Sequence, residues 1–178
     1  MTIADSLQFA VSLEELLTAR DLRAARQTEW LTRHRRPLIS LTLVSPGPVK
    51  DSARYRRSMR AALAACDALL AQRGWPVLAR AVWWPDTGPE AFWAVDHAAV
   101  EIKAATVALE QEHPLGRLWD IDVLSPAGGV IGRRSLDQAG RPCLLCDQPA
   151  HACARSRRHP QEEVIAKIEG LLDAYFAR

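Results

Sequence analysis

The sequence predicts a single α+β domain spanning residues 1–178. A mixed or antiparallel sheet of about five strands, a βαββαβ-like core plus one extra strand, is expected under covering helices. Three observations predict it. Apolar patterning switches between helical and strand periods in the order strand, helix, strand, strand, helix, strand. Prolines and glycines stand at the switches. Apolar residues make up 48% and charged residues 25%, an ordinary globular balance. A chain of this length buries roughly two-thirds of its extended surface and needs no covalent staples.

Ser12 followed by Glu15 reads as a capping box opening a helix to about His34. Leu13, Leu16, Leu17, Ala24 and Leu31 form its expected apolar stripe, with Arg20 and Gln27 inside it. An arginine aimed at a core must be paired or must meet a ligand, unless it snorkels at the edge of the interface, the blander reading of Arg20. "PLISLTLVS" follows as a strand, ended by "PGPVKDS", where Asp51 or Ser52 can cap a second helix to about Gln72. "VLARAVWW" (77–84) and "AFWAV" (91–95) read as strands joined by "PDTGPE". Asp96 can cap a third helix through about Glu112, with Ala98, Ile102, Ala105 and Leu109 buried. "LWDIDVL" (118–124) is the next strand, and "VIGRRSL" a fifth after the turn "AGG". A last helix, about 161–176, buries Val164, Ile165, Ile168, Leu171, Leu172 and Phe176.

The net charge of +2 argues against a protein holding nucleic acid by bulk electrostatics. Arginines nevertheless crowd residues 20–36, 54–60 and 133–158, which fits phosphate-bearing ligands or an acidic partner. No apolar run is long enough to span a membrane, and the N-terminus lacks the basic region of a signal peptide. A cytoplasmic chain with reduced thiols is expected.

In the strand at 118–124, alternation puts Trp119, Ile121 and Val123 on one face and Asp120 and Asp122 on the other. Two like charges side by side need neutralising. A carboxylate pair suits Mg²⁺, which prefers oxygen ligands and supports phosphoryl or nucleotidyl transfer. The bland reading pairs the aspartates with Arg117, Arg133 or Arg134. Lys50 stands beside a helix start after a Gly-containing turn, a place for an oxyanion, or else simply for a solvated lysine. His113, just before the strand, could serve as a base or merely terminate the helix.

Cys143 and Cys146 form C-x₂-C, with Cys153 and His159 downstream, in a Cys/His-rich segment (141–159) expected to be a small loop of the same domain. Three thiolates and an imidazole would complete a structural zinc site, with His151 the competing fourth ligand. Reduced structural cysteines or a redox pair are the other readings, although the flanking proline loops disfavour the latter. Cys66, among alanines and leucines, reads as a buried apolar residue.

"ARDLRAARQ" (19–27), "SPGPVKDS" (45–52), "HPLGRLWDIDVL" (113–124) and "RPCLLCDQPAHACARSRRH" (141–159) together resemble one family over nearly the whole chain. It is the citrate lyase holo-[acyl-carrier-protein] synthases, or apo-citrate lyase phosphoribosyl-dephospho-CoA transferases. The resemblance implies transfer of the 2'-(5''-triphosphoribosyl)-3'-dephospho-CoA prosthetic group to a serine of the lyase's acyl-carrier subunit, with release of diphosphate. On that reading Asp120 and Asp122 hold Mg²⁺, while Lys50, Arg20 and Arg23 neutralise the triphosphate, with Arg117, Arg133 and Arg134 as further anion ligands. Arg54, Arg56, Arg57, Arg155, Arg157 and Arg158 would dock an acidic carrier. The alternative is a zinc-stabilised, non-catalytic module for a phosphorylated ligand or nucleic acid.

Overall fold

The computed structural model describes residues 9–137 and 139–177. Helix α1 (Leu13–His34) precedes β1 (Leu38–Leu43), α2 (Ala53–Arg73), β2 (Val77–Trp83), β3 (Glu90–Val95), α3 (Ala99–Glu112) and β4 (Trp119–Ser125). β5 (Gly129–Ile131), α4 (Ala150–Ser156) and α5 (Gln161–Phe176) complete the chain, with 3₁₀ turns at Gly116–Leu118 and Arg133–Leu136.

The strands form one antiparallel sheet in the order β2-β3-β1-β4-β5. β3 lies between β1 and β2, and β1 between β3 and β4, so α2 and α3 each make a crossover that spans one intervening strand. This is the split-βαβ, ferredoxin-like connectivity with β5 appended, as the element order predicts. The sheet is wholly antiparallel rather than mixed.

One face carries the main core. Ile39, Leu41, Trp93, Trp119, Ile121 and Val123 pack there against Met59, Ala62 and Leu70 of α2, Ile102 of α3, and Ile168 and Leu172 of α5. Each such aliphatic side chain, fully buried, contributes about 1.5–3 kcal/mol. On the other face Leu38, Phe92 and Leu124 meet Trp30, Leu31 and Trp83 in a small apolar cluster under α1.

Local chemistry sets the helix ends. In the α1 capping box the Ser12 N–H donates to Glu15 Oε2 (2.8 Å) and the Glu15 N–H to Ser12 Oγ (3.2 Å). For α2 the cap is Ser52, which accepts the Tyr55 N–H at 3.2 Å, while Asp51 instead holds Arg56. Gly74, in the left-handed region at φ 65°, ends that helix.

Four expectations are corrected. Leu13 and Leu17 of α1 are 73% and 49% exposed, and Ala24 and Arg20 also face outward. The inward residues include Leu16, Arg23, Arg26, Gln27, Trp30 and Leu31, because α1 rests on a largely polar sheet face. Asp96 does not cap α3: its carboxylate accepts from Arg36 at 2.6 Å, and Ala98 occupies the cap position. β5 stops at Ile131, and Arg133–Leu136 form a 3₁₀ turn rather than a strand. A short helix, α4, rises inside the Cys/His segment expected to be loop.

Candidate active site and metal centre

The β1–β4 register pairs Ser40 with Asp122 and Thr42 with Asp120, so all four side chains share the face opposite the main core. The expected alternation along β4 is therefore present. α1 crosses this face and is tied to it by polar bonds. Gln27 Nε2 donates to Ser40 Oγ at 2.9 Å. Arg23 Nη1 and Arg26 Nη2 donate to opposite oxygens of Glu90 at 2.9 and 2.5 Å. Glu90 is only 2% exposed, and the Arg26 guanidinium also lies 4.5 Å over the Trp83 ring. A buried carboxylate this well paired holds both arginines in place.

Asp120 is half-exposed and Asp122 lies deeper. Burial, and next the charge of Asp120, hold the Asp122 carboxyl above its ordinary range, while Lys103, Arg141 and Arg23 pull the other way. A divalent cation would relieve this arrangement: the donors are two hard oxygens two residues apart on one strand face.

A cavity of about 300 Å³ opens on the α1 side. Its walls include Arg20, Arg23 and Lys50, together with Thr42, Ser45 and Glu90, so three of the predicted substrate-binding cations come together. Lys50 Nζ donates to the Ser45 carbonyl, and partial burial lowers its pKa. Among the described residues Arg20 and Lys50 have no carboxylate partner.

On the opposite side of the aspartates the predicted arginines divide. Arg133 donates to Glu110, a carboxylate 2% exposed on α3, instead of projecting from a strand. Arg134 is exposed on the same 3₁₀ turn. Arg117 donates to the Pro142 carbonyl, and burial, then Arg141 and Arg133, depress its pKa. Arg141 was not singled out by the sequence. Its guanidinium bonds Glu110 and lies 3.4 Å from Asp120. Arg117, Arg133 and Arg141 line a cavity of about 460 Å³, with Glu110 at its wall.

The ligand atoms of Cys143, Cys146, Cys153 and His159 all lie within 4.8 Å of one another. Cys146 Sγ is 3.5 Å from Cys153 Sγ and 3.3 Å from His159 Nε2. A tetrahedral zinc site has S–S edges of ~3.8 Å and S–N edges of ~3.6 Å, so the four donors are close to closed-site dimensions. The Leu145 N–H points at Cys143 Sγ (3.5 Å), and that contact, with the Cys146 N–H, favours the thiolate. His151 is exposed and outside this cluster, so His159 is the fourth member. Cys66 is buried in the main core, where burial pushes its thiol up to about 12, as befits an apolar residue.

His113 lies away from the aspartates. Its ring packs on Trp119 (4.3 Å) and Tyr175 (5.5 Å) at the core face, and its Nδ1 accepts the Leu115 N–H at 3.0 Å. It terminates α3, the blander of the two expectations. Of the expected docking arginines, Arg54 is held by Asp173, Arg56 by Asp51, and Arg57 lies 4.1 Å over Phe176. Arg155, Arg157 and Arg158 carry no ion pair among the described residues.

Together these features define an α+β domain with a charged working face and a separate Cys/His centre. Comparison with known proteins identifies the family. Residues 11–175 match the family described as apo-citrate lyase phosphoribosyl-dephospho-CoA transferase. A protein of that name from Citrobacter koseri is 47% identical over 163 residues, covering 92% of this chain and 89% of the relative. Relatives of the same name from Escherichia coli O7:K1 and Shigella boydii serotype 18 are 46% identical over 164 residues, with 92% of this chain and 90% of each relative covered. The chain belongs to the apo-citrate lyase phosphoribosyl-dephospho-CoA transferase family and is a transferase. A non-catalytic module is not favoured. Among the described residues no helix is long and apolar enough to cross a membrane.

Proposed function

We propose that this chain attaches the phosphoribosyl-dephospho-CoA prosthetic group to a serine of the citrate lyase acyl-carrier subunit, in the cytoplasm, from the triphosphoribosyl donor. The serine oxygen forms a bond to the α-phosphorus, the α–β anhydride bond breaks, diphosphate leaves, and the hydroxyl proton is released. The observation that supports the reading is that cations flank the β1–β4 ladder carrying Asp120 and Asp122. Arg20, Arg23 and Lys50 line the cavity that reaches Thr42, the ladder partner of Asp120, and Arg141 stands 3.4 Å from Asp120.

Asp120 and Asp122 would hold Mg²⁺, which when bound offsets charge on the reacting phosphates. Arg20 and Lys50, without a carboxylate partner among the described residues, bind the triphosphate and stabilise the leaving diphosphate. Arg23 is fixed by Glu90, so it presents a preset guanidinium at little further entropic cost. Arg155 and Arg158 offer the acidic carrier a basic contact. Cys143, Cys146, Cys153 and His159 would hold a structural zinc ion that shapes the segment carrying Arg141.

The test is intact-mass spectrometry on apo acyl-carrier subunit mixed with the protein, the donor and Mg²⁺. A mass gain equal to the prosthetic group, lost on chelation and with Asp122→Ala, is the expected result. A gain that survives Asp122→Ala would move the active site elsewhere, and no gain with a competent carrier and donor would sink the reading.

A further inference from the structure

A larger cavity, about 800 Å³, lies between the Cys/His segment, the turn after β1 and the start of α5. Its walls are chiefly apolar, from Val44, Pro46, Leu144, Ala150, Ala154 and Val164. Arg117, Arg141 and Arg157 are its cationic lining residues. Gly47 shapes one wall: its φ is 82°, and a Cβ there would sit 3.0 Å from Ile165 Cδ1 and 3.1 Å from Gln161 Nε2. The size and lining are those of a small-molecule site rather than of a flat protein-docking surface; such sites run ~300–1,000 Å³ and combine apolar walls with a few charged groups.

Charge balance gives the ligand its sign. Arg133 and Arg141 share one buried carboxylate, Glu110, and Arg141 also approaches the half-exposed Asp120, while Arg117 bonds only the Pro142 carbonyl. Arg117 has no carboxylate of its own among the described residues, and burial with repulsion from Arg141 and Arg133 outweighs the pull of Glu110 and Cys143 on it. An anion with an apolar or aromatic body would fill this deficit. Position supplies the rest. Arg141 both lines the cavity and reaches Asp120, so the cavity begins one side chain away from the carboxylate pair. The smaller cavity with Arg20 and Lys50 begins on the other side, at Thr42, the ladder partner of Asp120.

We infer that the 800 Å³ cavity seats the CoA-derived arm of the donor, with Arg117, Arg141 and Arg157 on the diphosphate that links its adenosine and pantetheine halves. This rests on the proposed transfer reaction and assigns the donor's two polyphosphates to different cavities. The 5''-triphosphate lies with Arg20 and Lys50, and the ribose between them crosses the aspartates. One wall of the CoA-arm cavity is made by Cys143, Cys153 and His159 themselves, so the metal centre borders the substrate.

The test uses two probes that each carry one half of the donor's chemistry, dephospho-CoA and inorganic tripolyphosphate, titrated calorimetrically into the full chain. Arg157→Asn removes a guanidinium at a position whose φ of 48° asparagine tolerates. Ala154→Trp fills the cavity from an exposed helix position, away from the main core. Each is expected to weaken dephospho-CoA about tenfold or more and to leave tripolyphosphate unchanged, whereas Lys50→Gln does the reverse. In transfer assays Arg157→Asn should raise the donor KM by more than it lowers kcat. Dephospho-CoA that fails to bind the unaltered protein, or that binds both cavity variants as well as it binds the unaltered protein, overturns the inference. If transfer persists in that case, the reaction stands and only the location falls. If the unaltered protein transfers nothing, the reaction falls, and the two binding titrations still decide the cavity.

Discussion

Glu110 of α3 stands where a neighbouring strand would: its Oε1 accepts the backbone N–H of Ile121 at 3.0 Å. Lys103, two helical turns earlier, donates Nζ to the carbonyl of the same residue at 2.7 Å. β5 pairs with β4 only as far as Val123, so two side chains replace the missing ladder. The charge of Glu110 is balanced by Arg133 and Arg141.

Glu110→Ala should therefore destabilise the fold by about 3–5 kcal/mol, because it strands buried positive charge and an unpaired backbone N–H. Urea unfolding would measure this. A midpoint that hardly moves would mean that water replaces the carboxylate and that the cluster is peripheral.

Asp122 gives a pH signature. Its native pKa lies above the unfolded value, so the native state binds the proton more tightly. Stability of the metal-free protein should fall as pH rises from the unfolded carboxylate range through the raised native one. Asp122→Asn should flatten that decline, raise the melting temperature at neutral pH and abolish any Mg²⁺-induced thermal shift. Asp120→Asn, which removes the nearest like charge, should move the Asp122 carboxyl titration to lower pH when followed by carbon NMR. An unmoved titration would show that burial alone sets it.

Elemental analysis should find one zinc per chain. Cys146→Ser and His159→Ala should each lose it and lower the melting temperature, while His151→Ala should retain it. Zinc retained after His159→Ala but lost after His151→Ala would reassign the fourth ligand.

Gly116 is needed for space rather than for backbone freedom. A Cβ there would lie 2.3 Å from the Glu110 carbonyl oxygen, with backbone on both sides of the clash. Gly116→Ala should push the 3₁₀ turn from the end of α3 and lower the melting temperature by several degrees, as roughly 1–3 kcal/mol of overpacking would. An unchanged melting temperature would show that this turn yields easily.

Much of this was legible in the sequence. Strict alternation put Asp120 and Asp122 together on one face, and the Ser12–Glu15 and Cys/His spacings marked a helix start and a metal-competent cluster. Elsewhere tertiary pairing overrode local pattern. The stripe assigned to α1 followed its leucines, whereas the helix turns Arg23, Arg26 and Gln27 toward Glu90 and Ser40, and no hydrophobic period records such a choice. Asp96 had the look of a cap until Arg36 claimed it. Arg141 beside a proline reads as loop, and only the approach of the Cys/His segment to β4 brings it to Asp120. Lys103 and Glu110 did leave a trace, as two charges seven residues apart on the face of α3 that also carries Ile102 and Thr106.

The way α1 is held has a consequence for motion. None of its 22 residues is fully buried, and its grip on the sheet is concentrated toward its C-terminal half, in arginine, glutamine and tryptophan contacts. Helices α2, α3 and α5 close the main core with buried aliphatic side chains, so the two faces of one sheet should come apart at different free energies. Amide hydrogen exchange should record two tiers: α1 protons lost through a partial opening, and β1, β3 and β4 protons only with global unfolding. The long helix is in this sense the layer held by polar bonds more than by burial, and it is the one lying over the charged face.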